Sequence, residues 1–391
     1  MSDILNTNIS SFKINVNKKT ISLMSCKEET NHLVINNNRK IKENSKIKIK
    51  VLDYISIAKI ISAFSVVIMH TNGIFWNFDY QRYSKYWISS NAIESIFYFA
   101  VPVFVLCIGA TLLDFNEKYG LKEYYYRRFL KVIVPLFLWN IILYYYRVYF
   151  LKNLQKEKLN FVNIWNLFYS SRINSIFSSF HHFIITYMII PLIAYVDKSK
   201  KIELYSYCFI TLIITQSLIP YLIKIFEPNL LWIYTFNPGF IIYIFPGYII
   251  QNYKFPVILK IIIYILGFIG LILHMYGTQI LTIKHKEIIR LHKGYFNIPC
   301  ILYSCSIFLF IKEYSYCIQK IINRKYINII GALTIGPFFI HLPMIDTIHK
   351  YFNVDIYDLN YRLFGGIAIC SISLIITFIM KKIPIINYLV P

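Results

Sequence analysis

The chain has 391 residues, of which 57% are hydrophobic and only 15% are charged. Soluble domains carry about 25% charged residues, so this composition excludes an ordinary soluble enzyme, a coiled coil and a disordered scaffold. The net charge of +22 is compatible with nucleic-acid binding, but the basic residues form short clusters between long apolar runs. Such clusters are typical of the charges that orient a membrane protein. We therefore predict a polytopic membrane protein that binds no nucleic acid.

Residues 1–50 differ from the rest of the chain. They contain ten Lys or Arg, four acidic residues and nine Asn, and they have no sustained apolar run. A segment of this kind buries too little apolar surface to fold by itself. We therefore predict a basic, disordered cytoplasmic tail over residues 1–50 and a membrane domain over residues 51–391.

Ten apolar runs follow the tail, and each is close to the 20 residues that a helix needs to cross the hydrocarbon core. A helix satisfies its backbone polar groups within one segment, and the runs lack the alternation of transmembrane strands. The sequence thus predicts an all-α membrane bundle of about ten transmembrane helices; nine or eleven stay open. Ten spans would put both termini in the cytoplasm, where positive charge collects. The runs cover residues 52–72, 92–113, 129–150, 180–196, 203–223, 231–251, 256–276, 296–312, 327–349 and 361–381.

Ionisable side chains within the apolar runs are costly to place in a membrane, so they are candidates for a functional site. Lys59 and His70 are eleven residues apart in the first run. A helix places them on nearly one face, about 16 Å apart along its axis. The alternative is that Lys59 reaches the interface with its long side chain and that His70 is an interfacial histidine. Glu94, near the start of the second run and at its outer end, is either functional or interfacial.

A basic cluster opens the third run, and three histidines of later runs are further candidates. The cluster, Arg127, Arg128 and Lys131, is either a topology anchor or an anion-binding site. The adjacent His181 and His182 point about 100° apart on a helix, so we predict no metal site.

His341 is the third of these histidines and lies between Pro337 and Pro343. A proline leaves a backbone carbonyl one turn earlier without its donor. His341 therefore either bonds a carbonyl freed in this way or faces the functional site.

Five short motifs occur in order along residues 51–381. They are the Lys59–His70 pair, VPVFVLCIGA from Val101, RRFLKVIVP up to Pro135, YIFPGY at Tyr243–Tyr248 and PFFIH ending at His341. Together they resemble the acyltransferase 3 family of integral membrane acyltransferases, especially its O-acetyltransferases of surface polysaccharides.

The chain departs from the usual pattern of that family at several positions. Ser56 stands where an Asp is usual, three residues before the basic position of the first helix. Lys59 replaces the commoner Arg, and Ile108 replaces a Ser. A His followed by Trp is usual near the fourth helix, and here only the pair 181–182 occurs, without the Trp.

The resemblance implies transfer of an acyl group, most often acetyl from acetyl-CoA, to a sugar hydroxyl of a cell-surface glycan or its lipid-linked precursor. It implies acetyl-CoA as a co-substrate with no permanently bound cofactor, and a bacterial inner membrane as the location. The alternatives are a glycan or lipid flippase and a glycan polymerase or ligase. We find no internal repeat of the kind that transporters favour, and no loop exceeds about 30 residues.

The residues can be assigned roles on this basis. A sugar hydroxyl is a poor nucleophile at neutral pH, and histidine has the pKa suited to a general base, so we predict that His70 is the base. Lys59 is predicted to hold the pantetheine–thioester region or to stabilise an oxyanion. The predicted ligands of the CoA phosphates are Arg127, Arg128 and Lys131. The predicted substrate-binding residues are Glu94, His181, His182 and His341.

The tail is expected to be dispensable for activity. Deleting residues 1–45 removes no segment with enough apolar surface to support the helices. We expect the truncated protein to insert into the membrane and to keep acyl transfer, with at most a lower expression level. Membrane fractionation and glycan acylation in the same cells check this, and an inserted but inactive truncation would refute it.

Overall fold

The computed structural model describes residues 53–79, 85–153, 176–226 and 239–390, without the side chains of residues 85 and 176–182. All regular secondary structure in these ranges is helical, as the apolar runs predict. The tail predicted at residues 1–50 lies outside the described residues. In chain order the helices are α1 (Asp53–Thr71), α2 (Tyr86–Glu117), α3 (Leu121–Leu151), α4 (Ile176–Ala194), α5 (Lys201–Phe226), α6 (Ile241–Asn252), α7 (Val257–His285), α8 (Ile298–Ile321), α9 (Arg324–Leu333), α10 (Ile335–Tyr351) and α11 (Tyr361–Lys382).

Each of the ten predicted runs overlaps a helix of the described residues, the sixth only from Ile241 onwards, and the ninth run divides into α9 and α10. Seven helices are long and apolar enough to cross a membrane, namely α1, α2, α3, α5, α7, α8 and α11. α9 and α10 meet that test together and join at a bend of 58°, which gives up to eight spans in the described ranges. Ten spans with cytoplasmic termini stay a prediction, since α4 and α6 offer only shorter apolar stretches.

α2 and α6 pack backbone to backbone through two glycines. A Cβ on Gly109 would overlap the backbone of Ile244, and a Cβ on Gly247 would overlap the backbone of Leu106. The two contacts are reciprocal, because each glycine meets the residue three positions before the other glycine. Small residues allow this close approach in membrane proteins, where dispersion contacts largely drive helix association. Nine of the twelve residues of α6 are buried as a result.

α1 is the most buried of the seven span-length helices and is held near both ends. Near its start, the Ser56 hydroxyl donates to the side chain of Asn328 on α9 at 2.8 Å, so the serine that replaces the family's usual Asp has a partner. Near its end, the Thr71 hydroxyl donates to the backbone carbonyl of Arg362 on α11 at 2.8 Å. These two contacts fix the level of Lys59 and His70 relative to α9 and α11.

α3 contains a π-helical turn, Phe129–Ile133, immediately before Pro135. Pro135 has no backbone N–H, so the Lys131 carbonyl lacks its usual donor in the helix. The backbone N–H of Val134 donates to the Phe129 carbonyl, five residues back, which widens the turn. π-turns of this kind occur mostly as single insertions and often at functional sites. This one carries Lys131.

The glycine contact yields a stability prediction. Gly109→Ala places a methyl group on the Ile244 backbone, which cannot move aside like a flexible side chain. We expect a loss of about 1–3 kcal/mol in the free energy of unfolding, the usual cost of overpacking. Gly120→Ala is the matched control, because a Cβ there meets nothing within 4 Å. Thermal unfolding of the two purified variants checks this, and equal melting temperatures would contradict it.

Candidate functional site

A cavity of ≈ 410 Å³ lies among α1, α2, α3, α4, α11 and the junction of α9 with α10. We call it the cationic cavity, because four basic side chains line it: Lys59, Arg128, Lys131 and Lys381. None of the described residues that line it is acidic. The remaining lining is mostly apolar. Such a cavity favours an anion, since the cations in it repel one another and have no carboxylate between them.

Arg128 is held at the wall of this cavity by two tyrosines. Its guanidinium lies over the ring of Tyr124 at 5.7 Å and over the ring of Tyr187 at 5.6 Å from the centroids. It also hydrogen-bonds to the Tyr187 side chain. Its Nε is buried and has no partner among the described residues. The guanidinium therefore keeps donor capacity for a ligand while its position is fixed.

The neighbouring Arg127 is placed differently from what the sequence predicts. Its Nε donates to the Glu123 carboxylate at 2.6 Å, and both side chains are 47% exposed. It does not line the cationic cavity. Successive helical side chains point about 100° apart, which separates Arg127 from Arg128. Of the predicted phosphate ligands, the structure brings together Arg128 and Lys131 and leaves Arg127 outside.

Lys381 is a fourth cation of the cavity that the sequence analysis did not identify. Its ammonium donates to the Ala332 carbonyl at 2.9 Å, at the end of α9. It also lies close enough to Lys131 to be repelled by its charge. Lys381 ends an apolar run, where a lysine is normally a topology anchor, so the local sequence gives no signal for a site.

The junction of α9 and α10 forms part of the cavity wall. Thr334 lies at the junction and donates from its hydroxyl to the Gly331 carbonyl at 3.0 Å. α10 begins at Ile335, which also lines the cavity. The first N–H groups of a helix have no partner within it, and the helix dipole is positive at that end. The start of α10 therefore adds to the positive potential of the four cations.

His70 and His341 lie side by side, although 270 positions separate them in the sequence. Their ring centroids are 5.1 Å apart and the rings are tilted by 47°. His341 Nδ1 donates to the Pro337 carbonyl oxygen. This bond places the proton on Nδ1 and leaves the Nε2 lone pair free. Nε2 is buried and has no partner among the described residues. The Pro337 carbonyl is not one that a proline frees, because its usual donor, the backbone N–H of His341, is present. His341 therefore makes a different backbone bond from the predicted one, and it also lies beside the predicted base.

Glu94 belongs to a buried polar network near the C-terminal end of α1. Its carboxylate hydrogen-bonds to the side chain of Asn72, and Lys293 is its charge partner. The Lys293 ammonium donates to Asn91 Oδ1 at 2.9 Å and to Ser95 Oγ at 3.0 Å. Burial lowers the pKa of Lys293 and outweighs the opposing effect of Glu94. Lys293 lies in a loop between two apolar runs, so the local sequence gives no signal for its role.

Arg362 ties the same end of α1 to the start of α2. It is only 1% exposed. Its guanidinium donates to Asn72 Oδ1 at 3.3 Å, to the Tyr86 carbonyl at 3.1 Å and to Ser89 Oγ at 2.8 Å. Since Asn72 follows His70 by two residues, Arg362 positions the segment that carries the predicted base.

The remaining predicted residues, His181 and His182, lie in α4, and their side chains are outside the described part of the chain. No group of three or more His, Cys, Asp or Glu within the described ranges is placed to hold a metal ion.

The family model described as an acyltransferase domain matches residues 52–381, which contain the cationic cavity and the His70–His341 pair. No curated protein and no solved structure matches the chain. A match over most of the chain, together with the span-length helices, confirms the resemblance that the five motifs indicate. The chain belongs to the acyltransferase 3 family and is a multi-pass membrane acyltransferase.

Proposed function

We propose that this enzyme transfers an acetyl group from acetyl-CoA to a sugar hydroxyl of a cell-surface glycan or its lipid-linked precursor, in the bacterial inner membrane. The observation that carries the proposal is a cavity lined by four cations in the same bundle as a pair of histidines. Acetyl-CoA has phosphate charges at one end and a neutral thioester at the other. The phosphate end thus suits the cations of the cavity. The thioester end needs a base nearby, which activates the attacking hydroxyl.

The donor binds with its phosphates among the cations of the cavity. Arg128 offers a fixed guanidinium with an unpartnered Nε, and guanidinium groups make strong charge-assisted bonds to phosphate. Lys131 and Lys381 supply two more cations, and a phosphate relieves their mutual repulsion. Lys59 holds the pantetheine–thioester region or stabilises the oxyanion of the transition state.

The transfer step uses the histidine pair. His70 takes the proton from the acceptor hydroxyl as its oxygen attacks the thioester carbonyl. A C–O bond forms, the C–S bond breaks, and the proton passes to the departing CoA thiolate. The products are the O-acetyl sugar and CoA with a free thiol. His341, with its Nε2 lone pair free, accepts a hydrogen bond that orients the acceptor.

The acceptor approaches from the side of the polar network around Glu94. A carboxylate and an ammonium near the predicted base offer an acceptor and donors for sugar hydroxyls. His181 and His182 are proposed to contact the substrate as well. Acetyl, a glycan and these contacts are the parts of the proposal that rest on the family resemblance.

Adjacent arginines give the sharpest test of the donor site. Arg128→Gln removes a charge from the cavity, and Arg127→Gln removes one from the exposed pair with Glu123. We expect the first change to weaken CoA binding about tenfold or more, because a hydrogen bond to a charged group contributes about 1.5–3 kcal/mol. The second should change it by less than about twofold, in line with exposed ion pairs. Calorimetry with CoA and purified protein in lipid nanodiscs measures both. Equal losses would refute the assignment of Arg128.

The histidines are tested by acetyl content of cell-surface glycans, measured by mass analysis with and without the gene. His70→Ala should lower acetylation by about 100-fold or more while the protein stays in the membrane, as expected for a lost general base. Unchanged acetylation in this variant would show that the base lies elsewhere.

His341→Asn separates the two roles of that histidine. The Asn amide can still donate to the Pro337 carbonyl, but it has no group in place of Nε2. We expect this variant to keep the wild-type melting temperature and to lose at least about tenfold in acetylation. If it restores both stability and acetylation relative to His341→Ala, the histidine has only a structural role.

A further inference from the structure

Two phenylalanines pack against each other in the wall of the cationic cavity. Phe104 on α2 and Phe338 on α10 both line it, and their rings meet edge to face with centroids 4.9 Å apart at 72°. The four cations of the cavity come from other helices, namely α1, α3 and α11. The ring pair therefore forms a purely apolar part of the cavity wall.

The position of Phe338 along α10 shows where the ring pair lies relative to the histidine pair. Phe338 precedes His341 by three residues, which is about one helical turn, so its side chain lies on the same face as the imidazole. Phe338 lines the cavity, and His341 lies beside His70 outside it. Along α10, Phe338 is thus the cavity-lining residue nearest to the histidine pair.

The packing of Phe104 along α1 gives the same position independently. Phe104 also packs against a second apolar cluster that contains Ala63 and Val67. These residues are both 1% exposed and lie between Lys59 and His70 along α1. Lys59 lines the cavity, whereas His70 lies at the histidine pair. Two helices therefore place the aromatic pair between the cations and the proposed base.

In this position the ring pair is the part of the cavity wall that contacts the acyl group of a bound donor. A donor whose phosphates bind the cations extends its thioester towards the histidines, and hence towards the rings. Closely packed interiors do not accept extra methylene groups without displacing side chains. We propose that Phe104 and Phe338 set the length of the acyl chain that the enzyme accepts, admitting a short acyl group and excluding medium-length chains. This inference rests on the proposed function and adds the donor class to it.

The experiment measures binding of CoA, acetyl-CoA, butyryl-CoA and octanoyl-CoA to the full-length protein in lipid nanodiscs by calorimetry. We expect the wild type to bind acetyl-CoA at least tenfold more tightly than octanoyl-CoA. Phe104→Ala and Phe338→Ala should each raise the affinity for octanoyl-CoA at least tenfold and leave the affinity for CoA within twofold. The selective effect separates a wall of the acyl site from a general packing role.

Phe64→Ala is the matched control. Phe64 packs against the same cluster as Phe104, but it does not line the cavity. Removing its ring should leave the ratio of octanoyl-CoA to acetyl-CoA affinity unchanged. An equal shift in this variant would overturn the proposal, because loosened packing would then explain the result. If an alanine variant fails to fold, Phe104→Leu and Phe338→Leu shorten the wall with less loss of packing. They should shift the ratio at least threefold.

The outcomes also separate this inference from the proposed function. If the wild type binds CoA, Arg128→Gln weakens it, and folded ring variants keep the wild-type ratio, only the inference about chain length is overturned. If the wild type binds none of the four compounds, both the donor site and the inference built on it are overturned. Folding of each variant is judged by its melting temperature and its elution in size exclusion.

Discussion

The repulsion among four cations in one cavity is the constraint around which the site is built. Lys59, Arg128, Lys131 and Lys381 come from three helices of the bundle and have no acidic neighbour among the described lining residues. Each unit of charge in a membrane protein needs compensation. Aromatic rings lie under Arg128, and the Ala332 carbonyl near the end of α9 accepts a hydrogen bond from the Lys381 ammonium. These contacts hold the cations in place without neutralising them, so the cavity keeps a strong attraction for an anion.

The break between α9 and α10 also contributes to the attraction of the cavity for an anion. A break in the helix costs backbone hydrogen bonds, and in membrane proteins such breaks occur where the backbone is buried in protein or lines a cavity. Here the bend of 58° lies at Thr334, in the cavity wall. The α9 side of the break supplies one carbonyl, that of Ala332, to Lys381, and the other side supplies the positive end of α10. A straight helix would satisfy both sets of groups internally and offer neither to the cavity.

Tight packing between helices keeps the cations of the cavity apart from the His70–His341 pair. The reciprocal contact of Gly109 and Gly247 brings α2 against α6, and the same stretch of α2 presents Phe104 and Cys107 to the cavity. At the other end of α1, Arg362 and the network around Glu94 fix the segment that follows His70. Interiors packed in this way have few alternative arrangements. The distance between cations and histidines is therefore set by the scaffold and not by a ligand.

Hydropathy was sufficient to predict the helical membrane bundle, because a run of about 20 apolar residues has only one stable conformation in a bilayer. Motif order likewise indicated the family, and the spacing of Lys59 and His70 placed them on one face of α1. Local sequence does not show which side chains from distant segments of the chain are in contact. His341 reaches His70, Lys381 joins the cations and Lys293 joins Glu94 only because segments far apart in the chain pack side by side. The separation of Arg127 from Arg128, by contrast, follows from the local geometry of α3. Periodicity defines the face of each helix, whereas the partner of that face is chosen by packing between helices.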